Sequence, residues 1–231
     1  MERDHDRPFA SCGKHRHRPV TDEPSGVADV AKPEVWFPDT SALVTLAVSM
    51  PLQRAVAATL SNYDLVLVEA VVAELEGLAS TNDAAAVWAG TALDQLEWLG
   101  SPVRVDDPVG TRLSVELQQQ IAGGRPLIHD MQHYGEAAII ALASRAQRLK
   151  PLMLCDDYDA RVAAKNRSVE PFSVHKLLHL MIEQSAITAT QAAGFADMLR
   201  MAGRAQDYTA AELRVVVKVL RCDAGHMMSF G

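Results

Sequence analysis

The sequence has few cysteines, few aromatic residues and no long apolar run. Three cysteines occur in 231 residues, and aromatic side chains make up 5% of the chain. Cys12, Cys155 and Cys222 lie far apart and form no C-x-x-C pair. A disulfide framework is therefore not expected, and this cysteine usage favours a reducing cytoplasm.

The apolar runs are too short for a membrane span. The longest, such as residues 137–143, reach about a third of the roughly 20 residues that a bilayer demands. Residues 1–18 mix charges and histidines and lead into no apolar stretch, unlike a signal peptide. We therefore expect neither a membrane-spanning helix nor a secretory signal.

Positive charge is also scarce. The chain has 22 Lys and Arg against 29 Asp and Glu, a formal net charge of −7. Proteins that hold nucleic acid by bulk charge usually carry a basic surface, so that mode of binding is excluded. The hydrophobic fraction of 48% is typical of a globular protein with one substantial core. If a nucleic acid is the substrate, something other than net charge must offset phosphate repulsion.

The chain divides into three parts. Residues 1–34 show neither a helical nor a strand period, which predicts a disordered or loosely attached tail. Residues 35–183 alternate short apolar strands with helical stretches. Residues 184–231 read as a helical C-terminal extension.

The alternation predicts an α/β fold of three α/β/α layers, with a central parallel sheet of about five strands and extra C-terminal helices. The predicted strands are residues 35–37, 65–68, 103–105, 152–155 and 169–172. The predicted helices are residues 41–48, 52–60, 70–79, 83–99, 109–122, 132–147, 159–165, 174–182, 189–201 and 210–220.

Acidic residues recur just past the predicted strands or near the starts of the following helices. They are Asp39, Glu74, Glu136, Asp156, Asp157 and Asp159. Ligands of open α/β sheets bind at the carboxyl edge of the strands, so these side chains are candidates for a single cleft.

Carboxylates gathered in one cleft need a cation. Two like charges about 4 Å apart repel by roughly 4 kcal/mol at an effective dielectric constant of about 20. The expected solution is one or two hard divalent ions, Mg²⁺ or Mn²⁺, which prefer oxygen ligands.

Each acid alone also has an ordinary structural explanation. Asp39, followed by Thr and Ser, is a good helix N-cap. Glu136 at a helix start favours the helix dipole, and Glu74 fits a solvated helix face. Asp156, Asp157 and Asp159 fit a turn with an N-cap. The order and placement of the acids together are the stronger signal.

Four segments resemble the PIN domain family over about residues 35–178. Residues 37–43, FPDTSAL, resemble its D-T-S-x-L opening, and residues 72–75, VAEL, are similar to its V-x-x-E-L helix. Residues 135–143 resemble its acid-led, Ala/Ile-rich helix, and residues 154–161 its T-x-D-x-D segment. Cys155 departs from the usual Thr or Ser, and Asp156 adds an acid that could exchange roles with Asp157.

The resemblance implies a Mg²⁺- or Mn²⁺-dependent endoribonuclease, as in VapC-like toxins of bacterial toxin-antitoxin pairs. The implied catalytic acids are Asp39, Glu74, Glu136 and Asp157, and the implied metal ligands are Asp39, Glu136, Asp157 and Asp159. Ser41 would bind substrate or orient a ligand, and Arg161 would contact phosphate. RNA is the implied substrate, a cognate antitoxin the implied partner, and a homodimer the implied assembly.

Two other functions are compatible with the sequence. His129 and His133 have the i, i+4 spacing of a zinc hydrolase, but an Asp stands where zinc proteases need Glu. His175 and His179 share the spacing on an apolar helix, which favours a structural role. The non-enzymatic alternative is a PIN-like fold that serves only as a binding module, although four retained acids weigh against it.

Overall fold

The computed structural model describes residues 32–127 and 131–204. The predicted helix at 210–220, most of the predicted tail, Cys12, Cys222 and His129 lie outside the described residues. The described residues contain, in chain order, β1 (Glu34–Pro38), α1 (Thr40–Ala47), α2 (Met50–Leu60), β2 (Asp64–Leu65), α3 (Glu69–Ala79), α4 (Ala86–Leu93), a 3-10 helix (Leu96–Leu99), α5 (Pro108–Ile121), α6 (Tyr134–Ala143), β3 (Lys150–Leu154), α7 (Tyr158–Asn166), β4 (Glu170–Phe172), α8 (Val174–Glu183) and α9 (Ala189–Met201).

The four strands form one parallel sheet in the order β2-β1-β3-β4. The central pair, β1 and β3, is in register over five residues, from Glu34 opposite Lys150 to Pro38 opposite Leu154. Because all strands are parallel, their carboxyl ends meet at one edge. The prediction of an α/β fold with a parallel sheet is confirmed.

Both faces of the sheet are buried, as a three-layer α/β/α arrangement requires. On one face Val35, Phe37 and Met153 pack with residues of α3 to α7, and we call this the first core. On the other face Trp36 and Leu154 pack with residues of α2, α8 and α9, and we call this the second core. Burial on both faces explains why the strands are continuous apolar runs instead of alternating patterns.

The sheet has four strands instead of about five. The predicted strand at 103–105 is reduced to one parallel bridge between Val103 and Val68. Its two hydrogen bonds run from Val103 N–H to Leu67 O (2.7 Å) and from Glu69 N–H to Val103 O (2.9 Å). Pro102 cannot donate a ladder hydrogen bond, and α5 begins at Pro108, so too little chain remains for a longer strand.

Two predicted helices are shorter in the structure. The stretch at 83–99 becomes α4 and the 3-10 helix, because Asp83 accepts a turn hydrogen bond from Ala85 N–H (2.7 Å) instead of capping a helix. The stretch at 132–147 becomes α6, because His133 has φ 61°, which a right-handed helix does not allow.

Both ends of the described chain pack on the same sheet. Pro33 O accepts from Lys150 N–H (2.9 Å), so the predicted tail boundary falls inside the sheet. Within the predicted C-terminal extension, Ile187, Phe195 and Leu199 belong to the second core. Among the described residues, no helix is long and apolar enough to cross a membrane.

Trp36 is the aromatic anchor of the second core. Its ring packs edge-on against Phe172, with centroids 4.8 Å apart, and it is 1% exposed. Trp36→Ala should lower the free energy of unfolding by about 3–5 kcal/mol in urea titrations. Trp36→Phe should cost clearly less, because it keeps an aromatic ring and removes an indole N–H that has no partner among the described residues. Equal losses in the two variants would contradict this packing.

Candidate metal and active site

Asp39 lies where β1 ends and α1 begins. Its N–H donates to Leu154 O (3.0 Å), which extends the β1-β3 ladder by one hydrogen bond. Its Oδ1 accepts from Ala42 N–H (2.7 Å), so Asp39 is the N-cap of α1. The side chain is 0% exposed and is therefore fixed at the carboxyl edge of the sheet.

Ser41 links the ends of the two central strands. Its hydroxyl donates to the Asp39 carboxylate, 2.9 Å from Oδ2 and 3.0 Å from Oδ1. The same oxygen accepts from Asp156 N–H (2.9 Å) on the turn after β3. Ser41, predicted to bind substrate or orient a ligand, therefore orients Asp39 in this structure.

Glu74 reaches from α3 to the start of α6. Thr40 Oγ1 donates to Glu74 Oε2 (2.6 Å), and the backbone of His133 and Gly135 is near enough to lower the pKa of the carboxyl. The His133 side chain does not cap α6. Glu74 therefore lies beside the N-terminal turn of α6, where the helix dipole favours a negative charge.

Gly135 makes room for this contact. A Cβ built on Gly135 would lie 2.5 Å from Glu74 Oε2 and 3.1 Å from Thr40 Oγ1. The left-handed backbone of His133, at φ 61°, lies two residues before it and starts the turn into α6. Strained backbone at this point is consistent with a turn that aims N–H groups at a carboxylate.

Glu136 stands in the first turn of α6 and is 5% exposed. Its Oε2 is buried and has no hydrogen-bond partner in the part of the chain that the structure describes. Burial raises the pKa of Glu136 well above its usual range, and the charges of Glu74, Asp39 and Asp157 raise it further. A buried carboxylate oxygen without a partner is costly, and a bound cation would remove that cost.

The neighbouring acids Asp156 and Asp157 point to different places. Asp157 is the N-cap of α7, where its Oδ1 accepts from Ala160 N–H (2.8 Å). Asp156 Oδ1 instead accepts from Val174 N–H (2.9 Å) at the start of α8. The geometry thus favours Asp157 over Asp156 as the fourth acid of the site.

These side chains surround an open cavity of about 230 Å³. Asp39 is fully buried and is joined to the cavity lining by the hydrogen bond from Ser41. The lining residues are Thr40, Ser41, Val44, Glu74, Leu78, Gln132, His133, Glu136, Asp157 and Arg204. Three of the four predicted catalytic acids therefore line one cavity, and the fourth contacts its lining residue Ser41.

Two predicted site residues lie away from the cavity lining. Asp159 is exposed, with its Oδ2 3.9 Å from Arg125 Nη2. Arg161 is 7% exposed and donates through Nη1 to Asp156 O (2.9 Å). Because Arg161 turns inward to the backbone between β3 and α7, it holds that turn in place.

The histidines with i, i+4 spacing form no metal site among the described residues. His175 is buried in α8. His179 Nδ1 lies 3.2 Å from Glu183 Oε1 on the same helix. Of the spaced pair His129 and His133, only His133 is described, and it lies at the start of α6.

Burial also raises the pKa values of Asp39 and Glu74, each to about 7. Hydrogen bonds from Cys155 and Ala42 lower the pKa of Asp39, while Asp156 raises it. The Thr40 hydroxyl and the α6 backbone lower that of Glu74, while Asp157 raises it. Without a cation, these acids retain protons at pH values where ordinary carboxyls are ionised.

The chemical type of the available ligand atoms suits a hard divalent ion. They are carboxylate oxygens, the ligands that Mg²⁺ and Mn²⁺ prefer, and Glu136 Oε2 is free to bind one. As the side chains stand, however, residues 32–127 and 131–204 contain no group of three His, Cys, Asp or Glu arranged to hold an ion. Three of the acids line one cavity, and ion binding would require their side chains to move so that their oxygens come together.

Comparison of the chain with family models, curated proteins and solved structures gave no match. The chemistry of the site therefore has to be argued from its own residues.

Sequence reasoning gave no role to three residues of this site. Thr40 and Gly135 lie inside the motif segments, but their contacts with Glu74 depend on how α1, α3 and α6 meet. Arg204 lies in a region predicted only as helical extension, and no local pattern indicates that it returns to α1.

Gly135→Ala should displace the Glu74 carboxylate and lower the melting temperature, because the new Cβ would overlap Oε2. Gly90→Ala in α4 is the matched control, since its Cβ would meet no described atom within 4 Å. That control should be neutral or stabilising by up to about 1 kcal/mol, because Ala is the better helix former. Equal melting temperatures for Gly135→Ala and wild type would contradict the close contact.

The metal-free protein should lose stability as the pH rises from about 4 to about 7. In that range the unfolded state releases protons that folded Asp39 and Glu74 still hold, since their pKa values rise from 3.8 and 4.5 to about 7. The free energy of unfolding falls by at most about 1.4 kcal/mol per pH unit for each such proton.

Asp39→Asn removes one of these two titrating groups and keeps a side-chain oxygen that can cap α1 through Ala42 N–H. Urea unfolding in EDTA should give this variant a shallower decline with pH than wild type. Asp197→Asn, an exposed acid in α9, should decline like wild type. An identical pH dependence for wild type and Asp39→Asn would contradict the raised pKa.

Proposed function

We propose that this protein is a Mg²⁺- or Mn²⁺-dependent endoribonuclease of the PIN type. The observation that carries the proposal is the meeting of Glu74, Glu136 and Asp157 around one open cavity, with buried Asp39 hydrogen-bonded to the lining residue Ser41. The cavity lies at the carboxyl edge of a parallel sheet, where α/β enzymes bind their ligands. The ordered motif segments of the sequence support the same function.

The residues have distinct tasks in this proposal. Asp39, Glu136 and Asp157 would hold the ion, and Glu74 would hold a coordinating water. The exposed position of Asp159 suits a contact with a second ion or its water better than direct binding to the first. When bound, the divalent ion supplies an activated water and neutralises charge on the phosphate during in-line displacement.

The rest of the site keeps these acids in position. Ser41 and the α1 backbone hold the Asp39 carboxylate from two sides. Thr40 and the start of α6 hold Glu74. These hydrogen bonds restrict the orientations of each carboxylate, which would reduce the reorganisation that binding of the ion and the phosphate requires.

Local neutralisation also accounts for an acidic protein acting on RNA. The net charge of −7 opposes binding by a broad basic surface, whereas an ion among buried acids attracts phosphate at the site itself. The reducing cytoplasm, a cognate antitoxin and a homodimer belong to the same proposal, because they follow from cysteine usage and from the resemblance.

Purified protein should cleave single-stranded RNA in the presence of Mg²⁺ or Mn²⁺ and should be inactive in EDTA. Glu136→Gln and Asp39→Asn should each lose at least about a hundredfold in rate, the scale on which preorganised charge contributes to catalysis. Glu116→Gln and Asp197→Asn remove exposed, ion-paired acids of α5 and α9, and they should cleave like wild type.

Cleavage that persists equally in Glu136→Gln would assign the activity to a contaminant. Absence of cleavage in wild type with every divalent ion would favour the binding-module alternative. Single-stranded DNA of the same base sequence, tested in parallel, distinguishes a ribonuclease from a general phosphodiesterase.

A further inference from the structure

Arg204 brings a guanidinium group to the acidic cavity from the far end of the described chain. It follows α9, where Gly203 has φ 71° and Arg204 N–H donates to Leu199 O (2.9 Å). This left-handed turn is a usual way to end a helix and reverse the chain. It directs Arg204 back across the sheet edge to α1.

Two hydrogen bonds fix the guanidinium on α1. Nη2 donates to Ser41 O (3.0 Å), and Nε donates to Thr45 Oγ1 (3.2 Å). Ser41 is the residue that orients Asp39. The guanidinium is therefore held on α1, in contact with the residue that hydrogen-bonds the buried acid of the site.

Arg204 is the one cationic side chain that lines the cavity among the described residues, beside Glu74, Glu136 and Asp157. It makes no ion pair within 4 Å with a described carboxylate, and its Nη1 has no hydrogen-bond partner in residues 32–127 and 131–204. A fixed guanidinium with a free donor, in an open cavity, is suited to an anion.

We propose that Arg204 contacts the substrate phosphate in this cavity, which it lines together with the acids. This inference rests on the proposed function, because it assigns the anion as the phosphodiester that the site would cleave. The guanidinium would bind a non-bridging phosphate oxygen from one side while the acids and their ion act from the other. The α9 segment and its turn would then be part of the active site instead of an appendage.

The experiment compares Arg204→Gln, Arg204→Lys and Arg200→Gln with wild type. Arg200 is an exposed residue of α9 and pairs with Asp197, so its variant changes net charge equally without touching the cavity. With Mg²⁺ and single-stranded RNA, Arg204→Gln should lose about tenfold or more in kcat/KM, equivalent to about 1.4 kcal/mol. Arg204→Lys should recover part of the loss, since Lys keeps the charge but not the fork of donors. Arg200→Gln should match wild type.

RNA binding provides a second measurement that does not depend on cleavage. Fluorescence anisotropy of a labelled mixed-sequence RNA, titrated in EDTA over a salt series, should give Arg204→Gln a weaker affinity. The slope of log affinity against log salt should fall by about one relative to Arg200→Gln, because one phosphate contact is lost.

These readings separate phosphate binding from a structural role. Burial raises the pKa of Asp156, and the Arg204 charge is one of the groups that lower it, so Arg204 could act only as a countercharge for Asp156. A countercharge would change the melting temperature and leave the salt slope unchanged. Thr45→Val, which removes one anchor and no charge, should cause a smaller loss in the same direction.

If wild type cleaves RNA and Arg204→Gln is equally active, this inference is overturned and the proposed function stays intact. If wild type cleaves no RNA, the proposed function fails by itself and the binding titration decides about Arg204. Unchanged affinity and salt slope in Arg204→Gln would then overturn the inference.

Discussion

The structure depends on how the Asp39 carboxylate is held at the junction of β1 and α1. It caps α1 through Ala42 N–H, and Ser41 connects it to Asp156 N–H after β3. The backbone N–H of Asp39 donates to Leu154 O and so extends the hydrogen-bond ladder of the two central strands. One buried acid thus contacts the start of α1, the carboxyl end of β3 and the cavity-lining residue Ser41.

This arrangement has an electrostatic cost that the fold alone does not explain. Asp39, Glu74 and Glu136 are all desolvated, and the charges of the other acids raise the pKa of Glu136 further. A purely structural core would replace such groups with apolar residues of similar size. Crowded acids with raised pKa values beside a cavity are typical of functional sites, where a ligand supplies the missing charge.

The sequence is most informative where local rules act alone. Apolar runs bounded by turn residues predict β1, β3 and β4, because strands covered on both faces need only apolar side chains. Asp39 and Asp157 are recognisable as acids at strand ends, and both are N-caps in the structure. Glu136 is recognisable as the acid at the start of an apolar helix, and Glu74 as the acid in the helix that follows the second predicted strand.

The remaining features depend on contacts between distant segments. The predicted strand at Val103 is reduced to one bridge by Pro102 and by the start of α5 at Pro108. An apolar pattern alone does not include these two effects. Gly135 matters only because Glu74 arrives from α3, and Arg204 only because Gly203 turns the chain back to α1. Arg161, predicted to contact phosphate, instead turns inward and donates to the backbone carbonyls of Cys155 and Asp156.

The central claim is that these acids bind a divalent ion through Glu136. Electron paramagnetic resonance of Mn²⁺ titrated into the protein measures this directly, since free Mn²⁺ gives a strong signal that binding removes. Wild type should remove Mn²⁺ signal up to a defined stoichiometry, Glu136→Gln should remove much less, and Glu116→Gln should behave as wild type. Equal Mn²⁺ binding by wild type and Glu136→Gln, or no binding by either, would contradict the account.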